Sequence, residues 1–239
     1  KNMDNTFAKR LINARKMRCI SQRDLCRMVE GKVSPTAIAK YEKGLMMPSS
    51  DVLVVLSQAL NMKLDYFFRP FTVAIDSSKF EFRKSSSMGA KKVEAVKCLV
   101  CSEIEKYVEI ESILGSSPAM SLDYSNTLVE TDGEAILMAL RFRRDMNIGL
   151  DAIASVVELL ESAGVKIIEI DHDRSFSGTC NKAGGMPVIV INRNMPSERK
   201  RITRLHELGH LLMHCAEGVD KEKMCTVFAN EVLIPSDRF

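Results

Sequence analysis

Apolar residues recur every three to four positions through residues 5–68, the spacing that places side chains on one face of an α-helix. The first of these faces comprises Phe7, Leu11 and Ala14. Ser21 and Asp24 have the spacing of a capping box, and Ser34 followed by Pro35 is typical of another helix start. The pattern predicts five short helices, and therefore an all-α domain over residues 1–68.

The hydrophobic period changes after this domain. Residues 69–84 alternate apolar and polar positions around Asp76, which predicts a short hairpin. The helical period returns from Ala90 to Leu114, where Gly115 ends it. We therefore predict a connector over residues 69–125, made of the hairpin and one long helix.

The rest of the chain mixes both periods. Helical spacing at 130–146 and 153–163 is followed by strand-like segments, of which 165–170 and 187–191 are apolar and rich in β-branched residues, and then by further helices. We predict strands over residues 165–170, 175–180 and 187–191. Strands packed on helices in this order indicate an α+β domain over residues 126–239.

Composition limits the class of protein. The chain has 239 residues, 46% of them hydrophobic, which suits two modest globular domains. No apolar run reaches the length that spans a membrane, and no secretory signal opens the sequence. The seven cysteines follow no disulfide framework, so we expect reduced thiols and a cytoplasmic location.

Positive charge is concentrated at the N-terminal end. Residues 1–68 contain 12 Lys and Arg against 6 Asp and Glu, a net charge of +6. The remaining residues contain 22 against 25, a net charge of −3. This asymmetry predicts that the N-terminal domain alone binds double-stranded DNA.

A short helical stretch carries the strongest chemical signal. His206 and His210 are four residues apart, so a helix presents both imidazoles on one face to a single metal ion. Glu207 lies beside that face, where its carboxylate can accept a proton from a metal-bound water. The alternative is a buried helix that merely contains histidines, but the H-E-x-x-H pattern strongly favours Zn²⁺.

A metal site of this kind needs a third ligand. Glu222 falls on the first turn of the next predicted helix and is the preferred candidate, while Glu217, Asp220 and Cys225 are weaker alternatives. His214 lies about 12 Å along a straight helix from His206, too far to share the ion. We expect His214 to orient a ligand, to donate to the transition state, or to form the polar end of the helix, which Gly218 terminates.

Residues 199–214, together with Glu222 and residues 228–235, resemble the ImmA/IrrE family of zinc metallopeptidases. The resemblance implies a zincin-like fold, His206, His210 and Glu222 as zinc ligands, and Glu207 as general base. It also implies protein substrates, often transcriptional repressors. Relatives usually continue with more helix beyond Pro235, so we expect a domain truncated at its C-terminus.

The N-terminal domain resembles the Xre type of helix-turn-helix, similar to the phage lambda and Cro repressors. The residues that carry this resemblance are Ser21, Gln22, Leu25, Val33, Ser34, Ile38, Lys40–Gly44 and Pro48-Ser49. It implies that Gln22 contacts the phosphate backbone and that Pro35, Thr36 and Lys40 face the major groove. Ser34 and Lys43 complete the predicted DNA-binding set. The alternative is a helical protein-interaction module.

One further motif has a simpler interpretation. Cys98 and Cys101 form a CxxC pair, but no second pair or nearby histidine accompanies it. Its place in the predicted long helix favours two packing residues over a zinc or redox site.

These features together predict a DNA-binding regulator with a zinc endopeptidase domain that cleaves a protein such as a repressor. Two other functions remain open: a transcription factor whose peptidase-like domain senses a ligand or partner, and a domain in which zinc is purely structural. Because an operator with two-fold symmetry is read by two modules, we expect a homodimer, formed through residues 69–114.

Overall fold

Helices come first along the chain. They are α1 (Asn2–Met17), α2 (Gln22–Met28), α3 (Pro35–Glu42) and α4 (Ser50–Leu60), followed by a 3₁₀ helix at Leu64–Phe67.

The computed structural model describes residues 2–72, 89–115, 122, 124, 127–183 and 185–238. The described chain divides into two units. One contains residues 2–72 and 89–109, and the other contains the described residues from 110 onwards.

Helices α2 and α3 begin at the capping residues that the sequence predicts. The Ser21 hydroxyl accepts from the Asp24 backbone N–H, and the Asp24 carboxylate accepts from the Ser21 N–H, which completes a capping box at α2. The Ser34 hydroxyl accepts from the Ala37 N–H, with Pro35 at the first position of α3. The apolar faces meet in one core that contains Phe7, Leu11, Ala14, Leu25, Val29, Val33, Ile38, Leu56, Leu60 and Phe67.

The long helix α5 (Ala90–Leu114) has the predicted bounds. Residues 90–109 of α5 belong to the N-terminal unit, where Glu105 accepts from the buried Arg10 guanidinium at 2.6 Å. The predicted hairpin lies largely outside the described residues. The predicted connector over residues 69–125 therefore stays a prediction.

The second unit has a mixed composition of helices and strands. Its elements are β1 (Leu128–Val129), α6 (Asp132–Asp145), α7 (Val156–Ser162), β2 (Lys166–Ile170), β3 (Gly178–Ala183), β4 (Met186–Asn192), α8 (Ser197–Leu212), β5 (His214–Cys215) and α9 (Lys221–Leu233), with a 3₁₀ helix at Ser236–Arg238. The predicted fold class, an all-α domain followed by an α+β domain, is confirmed. No helix in the described part of the chain is both long and apolar enough to cross a membrane.

The main sheet of this unit has the order β2-β4-β3. Strand β2 runs parallel to β4, and β3 runs antiparallel to it, with Ala183 opposite Met186 at the turn. Strand β4 is central, and its residues 188–191 are completely buried. Strand β3 begins at Gly178, three residues later than predicted, because Asp173 accepts from the Ser175 N–H and forms a turn there.

The helix with the H-E-x-x-H motif ends earlier than expected. The sequence predicts a helix as far as Gly218, but the backbone of Met213 is extended and α8 stops at Leu212. Strand β5 then pairs in parallel with β1, and the Ala216 N–H donates to the Val129 carbonyl. This short pairing ends the helix, and Gly218 takes positive φ in the turn that follows.

Candidate functional sites

Helix α8 holds both histidines at the surface of the C-terminal core. Leu205, Leu208 and Leu212 are buried against the domain, which fixes the rotation of the helix. The side chains of His206 and His210 keep 12% and 13% of their surface exposed, with ring centroids 5.0 Å apart. The two imidazoles therefore face the same space, as their spacing predicts.

Helix α9 brings Glu222 to these histidines. Glu222 Oε2 lies 3.4 Å from His206 Nε2, and Oε1 lies 3.2 Å from His210 Nε2. The helix starts at this place because the Asp220 carboxylate accepts from the Lys223 N–H as its N-cap. Ligand atoms held about 2.1 Å from a tetrahedral zinc ion are about 3.4 Å apart. The observed distances therefore fit a zinc ion, and so does the donor set of two imidazole nitrogens and one carboxylate.

A threonine orients one of the imidazoles. The Thr226 hydroxyl donates to the Glu222 carbonyl oxygen at 2.9 Å and lies 3.2 Å from His206 Nδ1. Because its proton is used on the carbonyl, the hydroxyl oxygen acts as acceptor, which places the imidazole proton on Nδ1. Nε2 is then the metal-binding nitrogen of His206. Thr226 belongs to no motif in the sequence, although its position one helical turn after Glu222 is a usable signal.

Replacing Thr226 by Val should test this orienting role. Val keeps the branched shape but cannot accept from Nδ1, so we expect zinc affinity to fall roughly 10–100-fold. Thr226→Ser keeps the hydroxyl and should bind zinc as the unmodified protein does. Competition with a chromogenic zinc chelator measures both variants. Equal affinity in Thr226→Val and Thr226→Ser would contradict the orienting role.

The predicted general base lies beside the histidines. Glu207 is 2% exposed and belongs to the inner face of α8. The Cys180 thiol, on β3, donates a hydrogen bond to the Glu207 carboxylate; burial and this carboxylate hold the pKa of the thiol well above its usual range. Cys180 therefore remains a neutral donor at ordinary pH. No sequence signal pointed to Cys180, because the register of β3 against α8 arises from tertiary packing.

His214 lies outside the helix that carries the metal motif. It forms the first residue of β5 and is exposed to solvent. The interpretation of His214 as the polar end of the helix is therefore wrong, because α8 ends at Leu212. A catalytic role for His214 stays a prediction.

The predicted DNA-binding residues lie on α2, α3 and their flanks. Ser34, Pro35, Thr36, Lys40 and Lys43 are all exposed. The Ser34 hydroxyl is occupied as the cap of α3, so its side chain has a structural task as well.

Gln22 differs from the other predicted contacts because its side chain is partly buried. Its amide donates to Glu42 Oε2 at 2.7 Å, and Glu42 also accepts two hydrogen bonds from Arg15 at 2.5 and 2.9 Å. This network ties the start of α2 to the end of α3. Contact between Gln22 and a phosphate stays a prediction.

The CxxC pair is packed within the N-terminal unit. Burial raises the pKa of Cys98 to about 11 and that of Cys101 to about 12. Both thiols are therefore protonated near neutral pH, which disfavours metal binding and redox exchange. This agrees with their interpretation as packing residues.

Two family comparisons match separate parts of the chain. Residues 11–67 match the family described as Helix-turn-helix, and residues 160–239 match a peptidase family described as IrrE N-terminal-like domain. No curated protein and no solved structure gives a significant match. The chain therefore fuses an Xre-like helix-turn-helix domain to an ImmA/IrrE-like domain, and both resemblances noted in the sequence are confirmed.

Proposed function

We propose that this protein is a cytoplasmic transcriptional regulator whose C-terminal domain is a zinc-dependent endopeptidase acting on a regulatory protein such as a repressor. The observation that carries the proposal is the convergence of His206, His210 and Glu222, with Glu207 beside them on α8. Three protein ligands with a neighbouring carboxylate are the usual composition of a hydrolytic zinc site.

In the proposed mechanism each side chain has one task. His206, His210 and Glu222 would hold the ion, which would acidify water and polarise a carbonyl group. The Glu207 carboxylate takes the proton from the attacking water and later passes it to the leaving amine. The Cys180 thiol keeps the Glu207 carboxylate oriented by its hydrogen bond.

The sheet offers a place for an extended peptide. Strand β3 is at one edge of the order β2-β4-β3 and packs against α8. At Gly178 a Cβ atom would come within 3.1 Å of Thr203 Cγ2 and of the Val190 carbonyl oxygen, so strand and helix approach closely. Main-chain hydrogen bonds along such an edge suit a protein substrate.

Metal analysis tests the centre directly. We expect one zinc ion per chain, lost in His206→Ala and in His210→Ala because each removes a ligand. Glu222→Ala should bind zinc more weakly. The control is the double variant Cys98→Ser with Cys101→Ser, which should keep its zinc. Zinc that survives both histidine changes but disappears from the cysteine variant would overturn the proposed site.

The proposed DNA partner is an operator bound by a homodimer. The charge of +6 on residues 1–68 and the exposed residues of α3 support this part of the proposal. A dimer reads two half-sites about one helical turn apart.

Lys40→Ala should weaken operator binding by about 1–3 kcal/mol and reduce the preference for the operator over random DNA. The matched control is Lys182→Ala, which removes the same charge from an exposed position on β3, outside the predicted DNA-binding and dimer segments. Fluorescence anisotropy at several salt concentrations, with duplexes enriched from a random pool, measures both. Equal losses in the two variants would argue against a base contact by Lys40.

A second function is favoured by the cysteine next to the histidines. One ligand atom from each of His206, His210 and Cys225 lies within 4.8 Å of the others. A thiolate there would supply a fourth protein ligand, as in sites that do not hydrolyse substrates. The alternative is therefore a transcription factor whose peptidase-like domain senses a ligand or partner without cleaving it.

A further inference from the structure

Cys225 lies on the face of α9 that also carries Glu222. The two residues are three positions apart, so the helix presents both towards α8. They differ in exposure, because the Glu222 side chain is 56% exposed whereas Cys225 is completely buried. The histidines therefore meet a carboxylate on the solvent side and a thiol on the inner side.

A glycine on α8 allows this close approach. A Cβ atom at Gly209 would lie 3.3 Å from Cys225 Cα and Cβ, closer than ordinary van der Waals contact. Gly209 is adjacent to His210 and three residues after His206, so Cys225 packs against the same turn of α8 that carries the two imidazoles. This position explains why its sulfur is within 4.8 Å of a ligand atom of each histidine.

We propose that Cys225 is a fourth protein ligand, which closes the zinc site in a resting form of the enzyme. The inference deepens the proposed peptidase function and rests on it. Thiolate sulfur is a preferred zinc ligand, and four protein ligands leave no position for water. The thiol proton is released to solvent when the sulfur binds. In the working form His206, His210 and Glu222 alone would hold the ion, which would leave one coordination position for water.

A small adjustment is enough to reach the closed form. Zinc–nitrogen and zinc–sulfur distances of about 2.1 and 2.3 Å bring the sulfur to about 3.6 Å from each imidazole nitrogen. The observed upper limit of 4.8 Å exceeds this by roughly an ångström. A movement of the sulfur towards the imidazoles by that distance would complete the closed form.

Cobalt substitution tests the ligation without any activity measurement. Co²⁺ takes the place of Zn²⁺, and a bound thiolate adds a sulfur-to-metal charge-transfer band in the near ultraviolet to the visible bands of tetrahedral cobalt. We expect both in the full chain, and we expect Cys225→Ala to lose the charge-transfer band alone. Cys215→Ala, which removes the thiol of β5, is the matched control and should keep it.

Three results separate this inference from the proposed function. Visible tetrahedral bands without charge transfer in the unmodified chain would overturn ligation by Cys225 and leave the His-His-Glu centre intact. Absence of any cobalt or zinc binding would instead overturn the metal centre itself. If Cys225→Ala fails to fold, comparison of the unmodified chain with Cys225→Ser still tests ligation by Cys225, because only a sulfur ligand gives the band.

With saturating zinc, Cys225→Ala should also cleave substrate faster, and a slower or equal rate would overturn the closing role.

Discussion

Replacing Glu207 by Gln is expected to lower the rate of substrate cleavage by at least about a hundredfold, because general-base help contributes roughly 10²–10⁴ in rate. Gln has the size of Glu and keeps one acceptor oxygen for the Cys180 thiol, so packing around α8 should survive. It cannot take a proton from water near neutral pH. Zinc content and DNA binding should therefore remain at the level of the unmodified protein.

The experiment needs a substrate and a control in the same domain. Glu207→Gln should bind its substrate without cleaving it, so the substrate can be captured on this variant. Incubation of the captured protein with zinc and the unmodified chain should then produce a new N-terminus at the cleavage site. Glu217→Gln makes the same change in the exposed turn after β5 and should leave cleavage unchanged. Undiminished cleavage by Glu207→Gln would exclude the assigned base.

The same variant distinguishes the two proposed functions. A regulator that works by proteolysis loses its regulatory effect with Glu207→Gln, since chemistry is removed while zinc and DNA binding remain. A sensor keeps its effect, because binding of a ligand or partner does not require the base. Transcription from the operator in cells that carry the variant is therefore the decisive readout.

The metal motif could be read from the sequence because its geometry is local. The four-residue spacing of His206 and His210 fixes their common face once α8 forms, and the cap at Asp220 places Glu222 on the first turn of α9. The helices of the N-terminal unit were equally predictable, since capping residues and apolar periodicity agree there.

Features that depend on packing between distant segments could not be predicted. The hydrogen bond from Cys180 to Glu207 requires the register of β3 against α8, which no local pattern encodes. The early end of α8 depends on the pairing of β5 with β1, two strands of two residues each. Strands this short have no periodicity to detect.

The second large effect concerns the ion pair that joins α5 to the helix-turn-helix. Arg10 and Glu105 are 2.6 Å apart, and their side chains are only 2% and 6% exposed. Glu105→Ala leaves the Arg10 charge buried without its carboxylate, which should lower the free energy of unfolding of this unit by about 3–5 kcal/mol. Hydrogen exchange of α1 and α4 in the full chain measures that loss in the N-terminal unit itself.

Glu103→Ala is the matched control, since Glu103 forms an exposed ion pair with Lys106 on the same helix. Such surface pairs contribute about 0.2–1 kcal/mol, so this variant should lose little stability.

Arg10 also donates to the carbonyl oxygens of Arg69 and Pro70, both at 3.0 Å. Replacing both charges, as in Arg10→Met with Glu105→Leu, should therefore recover only part of the loss, because these two partly buried carbonyl oxygens lose their donor. Equal stability of Glu105→Ala and Glu103→Ala would show that the Arg10–Glu105 ion pair does not stabilise the N-terminal unit.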